Sequence, residues 1–257
     1  HDALPICPGE FDSLLGGLRN AFRPEVTLAM QNLLGSHDTD RPVSRIMNRG
    51  IASFLAWEEY FGTGKARNQD YLTAKLAQEE YDILRLMVAF QMTYPGSPMI
   101  YYGDEVGMWG SGDPDCRKPM LWEDIVYEDE TTDARGRGYD QPAVVKPDTA
   151  LFAFYRELIH LRKRYPALVT GDYRSVEIPA PSAQHGYAFV RESDDGLVVA
   201  VFNNAYDPHN MVLAGLPAGR YINEMDGAEY ECTGDDLQVA LGAHGFALLT
   251  LINPNEI

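Results

Sequence analysis

The residues best suited to chemistry lie in segment 37–41, which reads His-Asp-Thr-Asp-Arg. The apolar residues before it predict a short strand over 32–36, so this segment follows a strand's carboxyl end. In barrel enzymes that end of the strands carries the reacting groups. The Asp38 carboxylate, beside the His37 imidazole and near the Arg41 guanidinium, can bind neighbouring hydroxyls of a sugar through charge-assisted hydrogen bonds. A solvated loop with a local Asp–Arg pair explains the same pattern, so the segment alone leaves both interpretations open.

Helical and β-rich patterns in the first part of the chain must position these groups. Apolar spacing predicts helices over 72–92 and 151–161, and a strand over 98–102. The strand lacks alternation, which suits a parallel strand buried on both faces. Two parallel strands with crossover helices cannot cover one another. This part is therefore expected to be a piece of a larger α/β sheet or barrel.

The remaining segments of the first part are shorter or mixed. Residues 11–18 have helical spacing, and Pro24 can open a second short helix. Residues 43–70 predict a helix-and-loop insertion that contains Trp57, Tyr60 and Phe61. Residues 103–147 form a long loop rich in Gly, Asp and Pro, and loops of that length inside a compact domain are usually functional.

From about Thr170 the pattern changes to short β-rich runs separated by turn residues. The runs lie at 186–191, 197–202, 209–213, 237–241 and 245–252. They predict an antiparallel β module that follows the α/β part without a flexible linker. The expected domains are therefore residues 1–168 and residues 169–257.

Composition restricts the class of protein. The chain has 257 residues, of which 45% are hydrophobic and 23% charged, typical of a soluble globular protein with a sizeable core. Its formal net charge of -17 argues against nucleic-acid partners and against docking on an anionic membrane. The chain has three cysteines, Cys7, Cys116 and Cys232. Their odd number and the lack of metal-ligand spacing indicate neither a disulfide framework nor a zinc site.

Localisation stays unknown from the sequence. No apolar run approaches the roughly 18 residues of a membrane-spanning helix. The chain opens with His1 rather than an initiator methionine, so its natural N-terminus is expected to be missing. Secretion to the periplasm or out of the cell is therefore left open.

Three segments together carry a family resemblance. Residues 32–41, Asn-Leu-Leu-Gly-Ser-His-Asp-Thr-Asp-Arg, resemble the seventh-strand motif of the α-amylase superfamily of glycoside hydrolases. Residues 96–108, Gly-Ser-Pro-Met-Ile-Tyr-Tyr-Gly-Asp-Glu-Val-Gly-Met, resemble that family's eighth strand. Residues 113–122, Asp-Pro-Asp-Cys-Arg-Lys-Pro-Met-Leu-Trp, are similar to the following loop in neopullulanase, cyclomaltodextrinase and oligoglucosidase relatives. Order, spacing and the β module all match, and the resemblance covers most of the chain.

The resemblance implies an α/β fold in two parts. Residues 1–168 would be the C-terminal part of a catalytic (β/α)8 TIM barrel, strands 7 and 8 with their helices, and 169–257 an all-β sandwich domain. The family's nucleophilic Asp lies on strand four and its acid/base Glu on strand five, and neither motif is found in this sequence. A missing N-terminal barrel segment of about 200 residues is therefore an expected partner, judged from a typical barrel.

The resemblance also implies roles for individual residues. Asp38 matches the third carboxylate, a transition-state stabiliser that holds the 2- and 3-hydroxyls of the distorted sugar, and His37 matches a histidine that contacts the same sugar. Asp113 and Arg117 match a loop pair that binds sugars on the non-reducing side of the cleavage point, with a loop-shaping salt bridge as the alternative. Trp109 can stack on a sugar face or hold the loop in place.

Other polar groups are expected to be structural or absent from the chemistry. Asp104 and Glu105 are expected to hold the barrel mouth, and Arg41 to orient the Asp38 loop. No cofactor and no metal ligand are expected in this chain. Many family members bind calcium, but the usual ligands lie in regions that this sequence does not contain.

The implied function is part of a retaining hydrolase that cleaves α-glucosidic bonds of starch-derived oligosaccharides. This chain alone would lack the nucleophile and the acid/base. A glucosyl transferase or isomerase of the same superfamily, or a non-catalytic amylase-like sugar-binding scaffold, would carry the same motifs. The choice between α-1,4 and α-1,6 linkages and the oligomeric state are left open.

Overall fold

The computed structural model describes residues 7–49, 71–77, 80–132, 136–234 and 236–252. Within them the chain divides into two compact units. The first unit takes the described residues of 33–84 and 99–157, and the second takes those of 7–32, 85–98 and 158–252. The predicted domain boundary after residue 168 stays a prediction, and the insertion predicted around Trp57, Tyr60 and Phe61 lies outside the described residues.

The helices begin mostly at prolines. They are Pro8–Ala21 (α1), Pro24–Ala29 (α2), Pro42–Met47 (α3), Glu80–Thr93 (α4), Thr149–Arg164 (α5) and Pro166–Thr170 (α6). Proline opens α1, α2, α3 and α6, where its fixed φ suits the first helical turn and its missing N–H would have no partner anyway. The predicted helices around residues 11–18, after Pro24 and over 151–161 are confirmed.

The helix predicted over 72–92 begins only at Glu80 in the described residues, and this part of the prediction is wrong. The Leu72 amide donates to Asn48 Oδ1 at 2.8 Å, and Asn48 Nδ2 donates to the Leu72 carbonyl at 2.7 Å. Both backbone groups of Leu72 are therefore occupied by a side chain 24 residues away. A helix would need the same groups for its own hydrogen bonds, so the chain stays irregular over 71–77.

Short strands precede the two polar loops. Gln31–Leu33 (β1) and Ser97–Met99 (β2) form a two-stranded sheet, and each is shorter than the strand predicted there. Glu130–Thr132 (β3) pairs antiparallel with Gly138–Ala143 (β4), so part of the predicted loop 103–147 is a hairpin.

The β module in the second unit is antiparallel, as predicted. Its strands are Asp172–Ser175 (β5), Gly186–Ser193 (β6), Gly196–Asn203 (β7), His209–Ala214 (β8), Gly219–Asn223 (β9), Glu229–Cys232 (β10), Asp236–Leu241 (β11) and Phe246–Leu251 (β12). Six of them form a sheet in the order β10-β9-β12-β7-β6-β5, and β8 pairs with β11. The five predicted runs correspond to β6, β7, β8, β11 and β12, whereas β5, β9 and β10 were not predicted.

The core of the module lies between the six-stranded sheet and the β8–β11 pair. Val199 and Val201 of β7 face it, together with Met211 from β8 and Val239 from β11. Side chains alternate along a strand, so Phe202 of β7 points to the other face. There its ring lies 5.9 Å from that of Phe90 in α4. The sheet is therefore covered on both faces within the second unit.

Two arginines, the partly buried Arg162 and the buried Arg191, hold the end of α4. Arg162 donates to the carbonyls of Met92 and Gly96 at 2.7 and 2.6 Å, and Arg191 donates to the Thr93 carbonyl at 3.0 Å. Burial lowers the pKa of each guanidinium to about 10, so both remain cations at neutral pH. A positive charge at a helix C-terminus is favourable, and these contacts satisfy carbonyls that have no partner within the helix.

Candidate active site

The segment that carries His37 and Asp38 is a tight turn in the first unit. The Ser36 amide donates to Thr39 Oγ1 at 3.0 Å, and the Asp38 amide donates to Ser36 Oγ at 3.2 Å. Hydroxyl side chains stabilise turns in this way by substituting for backbone partners. The turn leaves the side chains of His37 and Asp38 65% and 51% exposed, so both can contact a ligand.

Arg117 joins this turn to the following loop. Its Nε donates to the His37 carbonyl at 2.9 Å and lies 3.0 Å from Asp113 Oδ1, and its Nη2 lies 3.3 Å from Asp38 Oδ1. His37 Nε2 lies 3.1 Å from Asp38 Oδ2. The structure therefore brings Asp38, His37, Asp113 and Arg117 into one exposed polar cluster. The salt bridge considered for Asp113 and Arg117 is present, and the binding roles of all four residues stay predictions.

Arg41 turns inward and pairs with Asp104. The Arg41 Nη1 to Asp104 Oδ1 distance is 2.9 Å, and both side chains are buried. Arg41 also donates to the carbonyls of Tyr102 at 2.7 Å and Cys116 at 2.9 Å. Burial raises the pKa of Asp104 to about 7, against the lowering effect of Arg41. A Cβ at Gly35 would lie 2.7 Å from Asp104 Oδ2, so glycine leaves the space that this carboxylate occupies.

Trp109 lies against protein rather than open surface. Trp109 is 4% exposed, and its Nε1 donates to Glu130 Oε2 at 3.0 Å. Lys118 Nζ lies 2.6 Å from Glu130 Oε1 and 5.4 Å from the centroid of the indole ring. These contacts favour the interpretation in which Trp109 holds the loop, and sugar stacking by Trp109 stays a prediction.

Two contacts around the turn were not predicted. Cys116 Sγ donates to the His37 carbonyl at 3.2 Å, and burial raises the pKa of this thiol. The Tyr71 hydroxyl donates to the buried Asp40 carboxylate, whose pKa is raised by its burial. Both pairs are distant in sequence, and no spacing pattern in a single sequence identifies them.

The described residues contain no group of three or more His, Cys, Asp or Glu side chains placed to hold a metal ion. No helix within the described ranges is long and apolar enough to cross a membrane.

Comparison with known proteins finds a matching family model and similar sequences. A family model described as "Alpha amylase, catalytic domain" matches residues 65–171. Neopullulanase 2 of Thermoactinomyces vulgaris is 36% identical over 203 residues, which are 79% of this chain and 26% of that protein. A cyclomaltodextrinase of Bacillus sp is 32% identical over 211 residues, which are 82% of this chain and 28% of that protein. The chain thus spans about a quarter of the length of these relatives.

Solved structures agree with the sequence relatives. A cyclomaltodextrinase structure superposes with a TM-score of 0.68 at 25% identity and covers 96% of this chain and 34% of its own. The predicted fold class, part of a (β/α)8 barrel followed by a β-sandwich, is confirmed by these structural neighbours. The family model, the relatives and the structural likeness together show that the chain belongs to the α-amylase family of glycoside hydrolases.

Proposed function

We propose that this chain forms part of a retaining glycoside hydrolase that cleaves α-glucosidic bonds of starch-derived oligosaccharides. The observation that carries the proposal is the exposed cluster of Asp38, His37, Asp113 and Arg117 in a chain of the α-amylase family. Relatives named neopullulanase and cyclomaltodextrinase support a substrate built from α-linked glucose.

Asp38 would act on the sugar at the bond that breaks. Retaining cleavage needs a nucleophile and an acid/base, and hydrogen bonds to the 2-hydroxyl strengthen in the oxocarbenium-like transition state. An exposed carboxylate with an imidazole at 3.1 Å can accept from neighbouring sugar hydroxyls while the imidazole contacts the same ring. Interactions that strengthen in the transition state raise the rate rather than the affinity alone. The nucleophile and the acid/base would come from a barrel segment outside this sequence.

Arg117 and Asp113 would bind a sugar farther from that bond. Arg117 is 44% exposed in its side chain, although it already contacts Asp38, Asp113 and the His37 carbonyl. A guanidinium has five N–H donors in a fixed plane, so it can hold both carboxylates and still donate to a hydroxyl. Its position between Asp38 and Asp113 links the reacting sugar to the next one along the glucan.

The test is an assay of the whole protein that contains this chain, on maltooligosaccharides, cyclodextrin and pullulan. Proton NMR of the first product formed should show the α anomer, because a retaining enzyme preserves the anomeric configuration. The isolated 257-residue chain is the matched control, after mass spectrometry has excluded any retained N-terminal fragment. Inversion of the anomer would contradict the mechanism. No turnover of any α-glucan by the whole protein would favour the sugar-binding scaffold.

A further inference from the structure

We propose that the buried Arg41–Asp104 pair positions the His37–Asp38 turn for catalysis, acting through the segment Cys116–Arg117. The inference rests on the proposed function, because it concerns the same candidate site. Arg41 and Asp104 themselves are buried and would not touch the sugar. They are therefore positioning residues.

The first step is the anchoring of Arg41. It has contacts on several sides: the Asp104 carboxylate, the Tyr102 carbonyl and the Cys116 carbonyl. Its guanidinium carbon also lies 4.8 and 5.0 Å from the ring centroids of Tyr101 and Tyr102. A guanidinium is planar and rigid, so contacts on several edges and on its faces fix both its position and its orientation.

Hydrogen bonds through Cys116 connect Arg41 to the turn. Arg41 Nε holds the Cys116 carbonyl at 2.9 Å, and Cys116 Sγ donates to the His37 carbonyl at 3.2 Å. The next residue, Arg117, donates to the same carbonyl at 2.9 Å. The His37 carbonyl thus accepts two hydrogen bonds from a segment whose backbone Arg41 holds. The peptide that precedes Asp38 is therefore held by the buried Cys116 and by the partly exposed Arg117.

The space around the Asp104 carboxylate also depends on the residues that flank the turn. Its carboxylate fits only because residue 35 has no side chain, since a Cβ there would lie 2.7 Å from Asp104 Oδ2. Arg41 follows the turn directly and its amide donates to the Gly110 carbonyl at 3.0 Å. Gly35 and Arg41 thus flank the turn on both sides, and Asp104 meets both. A buried ion pair is weak evidence for stability, which leaves specification of local geometry as the better explanation here.

The test compares Asp104→Asn, Arg41→Lys and Cys116→Ala in the whole protein. Misplacement of a reacting group by about 1 Å can cost a hundredfold in rate, so we expect kcat to fall roughly 10- to 100-fold in the two pair variants. On a short chromogenic glucoside, which does not reach Arg117, KM should change by less than about threefold, because the exposed groups that bind the reacting sugar remain. Arg41→Lys keeps the positive charge but loses the planar set of donors, so it separates geometry from charge.

A second readout does not depend on activity. Cys116 is buried, whereas Cys7 is exposed and Cys232 is buried in the β module. Alkylation by N-ethylmaleimide, followed by mass spectrometry of the peptides, reports each thiol separately. In Asp104→Asn we expect Cys116 to be labelled about tenfold faster or more, because its segment is released. Cys232 should keep its rate, and Cys7 should react quickly in every variant.

The matched control is an exposed ion pair. Arg220 Nη2 lies 3.1 Å from Glu229 Oε1, and both side chains are about half exposed. Glu229→Gln removes the same charge type as Asp104→Asn and should leave kcat, KM and the labelling of Cys116 unchanged.

A folded Asp104→Asn protein with kcat within twofold of the parent would overturn the proposal, and so would unchanged labelling of Cys116. If the pair variants do not fold, Cys116→Ala decides, because it shortens one buried side chain and leaves the ion pair in place. We expect its kcat to fall at least threefold. An unchanged kcat overturns the proposal that the pair positions the turn through Cys116. Asp38→Asn in the same protein separates the two failures. If Asp38→Asn keeps full turnover, the proposed function of the site fails rather than its positioning.

Discussion

Replacing Asp12 with alanine is expected to destabilise the second unit by about 3 kcal/mol. Asp12 lies on α1, and its carboxylate accepts from three hydroxyl groups of the β module. The Tyr187 and Tyr173 hydroxyls donate to Oδ1 at 2.7 and 2.9 Å, and the Ser175 hydroxyl donates to Oδ2 at 2.7 Å. Arg19 lies 3.4 Å away as a weaker partner. Asp12 therefore connects α1 to strands β5 and β6.

The expected free-energy cost follows from the hydroxyl donors that lose the Asp12 carboxylate as their acceptor. A hydrogen bond to a charged group contributes about 1.5–3 kcal/mol, but bonds within one network do not add. The Tyr173 and Tyr187 hydroxyls lie 2.6 Å apart and can still pair with each other, so part of the loss is recovered. About 3 kcal/mol remains as the expected cost, and for a protein of this size it corresponds to a fall in Tm of roughly 6–12 °C.

The pKa of Asp12 predicts how its contribution to stability changes with pH. Burial acts to raise the pKa of Asp12, but hydrogen bonds from Ser175, Tyr187 and Tyr173, with the charge of Arg19, outweigh it and hold the pKa below its ordinary value of 3.8. A lowered carboxyl pKa contributes stability that is present above the unfolded value and is lost as pH falls through the folded value. The difference between parent and Asp12→Asn should therefore be constant near neutral pH and vanish in acid.

Thermal unfolding followed by circular dichroism between neutral and acid pH measures both effects. Asp195→Ala is the control, since Asp195 is exposed in the turn between β6 and β7 and its loss should cost less than about 0.5 kcal/mol. A cost for Asp12→Ala no larger than that of the control would refute the reasoning, and so would a difference between the parent and Asp12→Asn that persists unchanged in acid.

Three further predictions concern the candidate site. Arg117→Ala should reduce kcat/KM on long oligosaccharides more than on short chromogenic glucosides, and equal losses on both would indicate a loop-shaping salt bridge only. Trp109→Phe should lower Tm by a few degrees through loss of the 3.0 Å bond to Glu130 while KM stays unchanged, whereas a raised KM at unchanged Tm would support sugar stacking. The isolated chain should show no glycosidase activity on maltooligosaccharides, because neither a nucleophile motif nor an acid/base motif occurs in it; turnover above a mock preparation would contradict this.

Apolar runs predicted the central strands of the six-stranded sheet, whereas the two edge strands of that sheet were not predicted. Strands β6, β7 and β12 are largely buried and read as apolar runs, so their positions follow from the sequence. Strands β5 and β10 are the edges of the six-stranded sheet, bury little and read as Asp-Tyr-Arg-Ser and Glu-Tyr-Glu-Cys. Hydrophobic pattern reports burial, so edge strands leave a weak signal. For β9 and β10 the Asp226–Gly227 turn between them was the available signal, with Gly227 at a φ of 75°.

Long-range contacts explain the other differences. The late start of α4 depends on Asn48, and the buried partner of Arg41 lies 63 residues away at Asp104. The sequence motifs identified Asp38 and Arg117 as candidate site residues, but not the contact between them. They could not show that Arg41 faces inward, because direction depends on the whole surrounding fold.

The most direct test of the account is the kinetics of Asp38→Asn in the whole protein. Asp38 is an exposed carboxylate held by its own turn and by Arg117, so its replacement should leave the fold unchanged. Loss of an interaction made mainly in the transition state should lower kcat roughly 100- to 1,000-fold and change KM by only a few-fold. A variant with near-normal kcat and a raised KM would show that Asp38 only binds substrate, and would contradict the central claim.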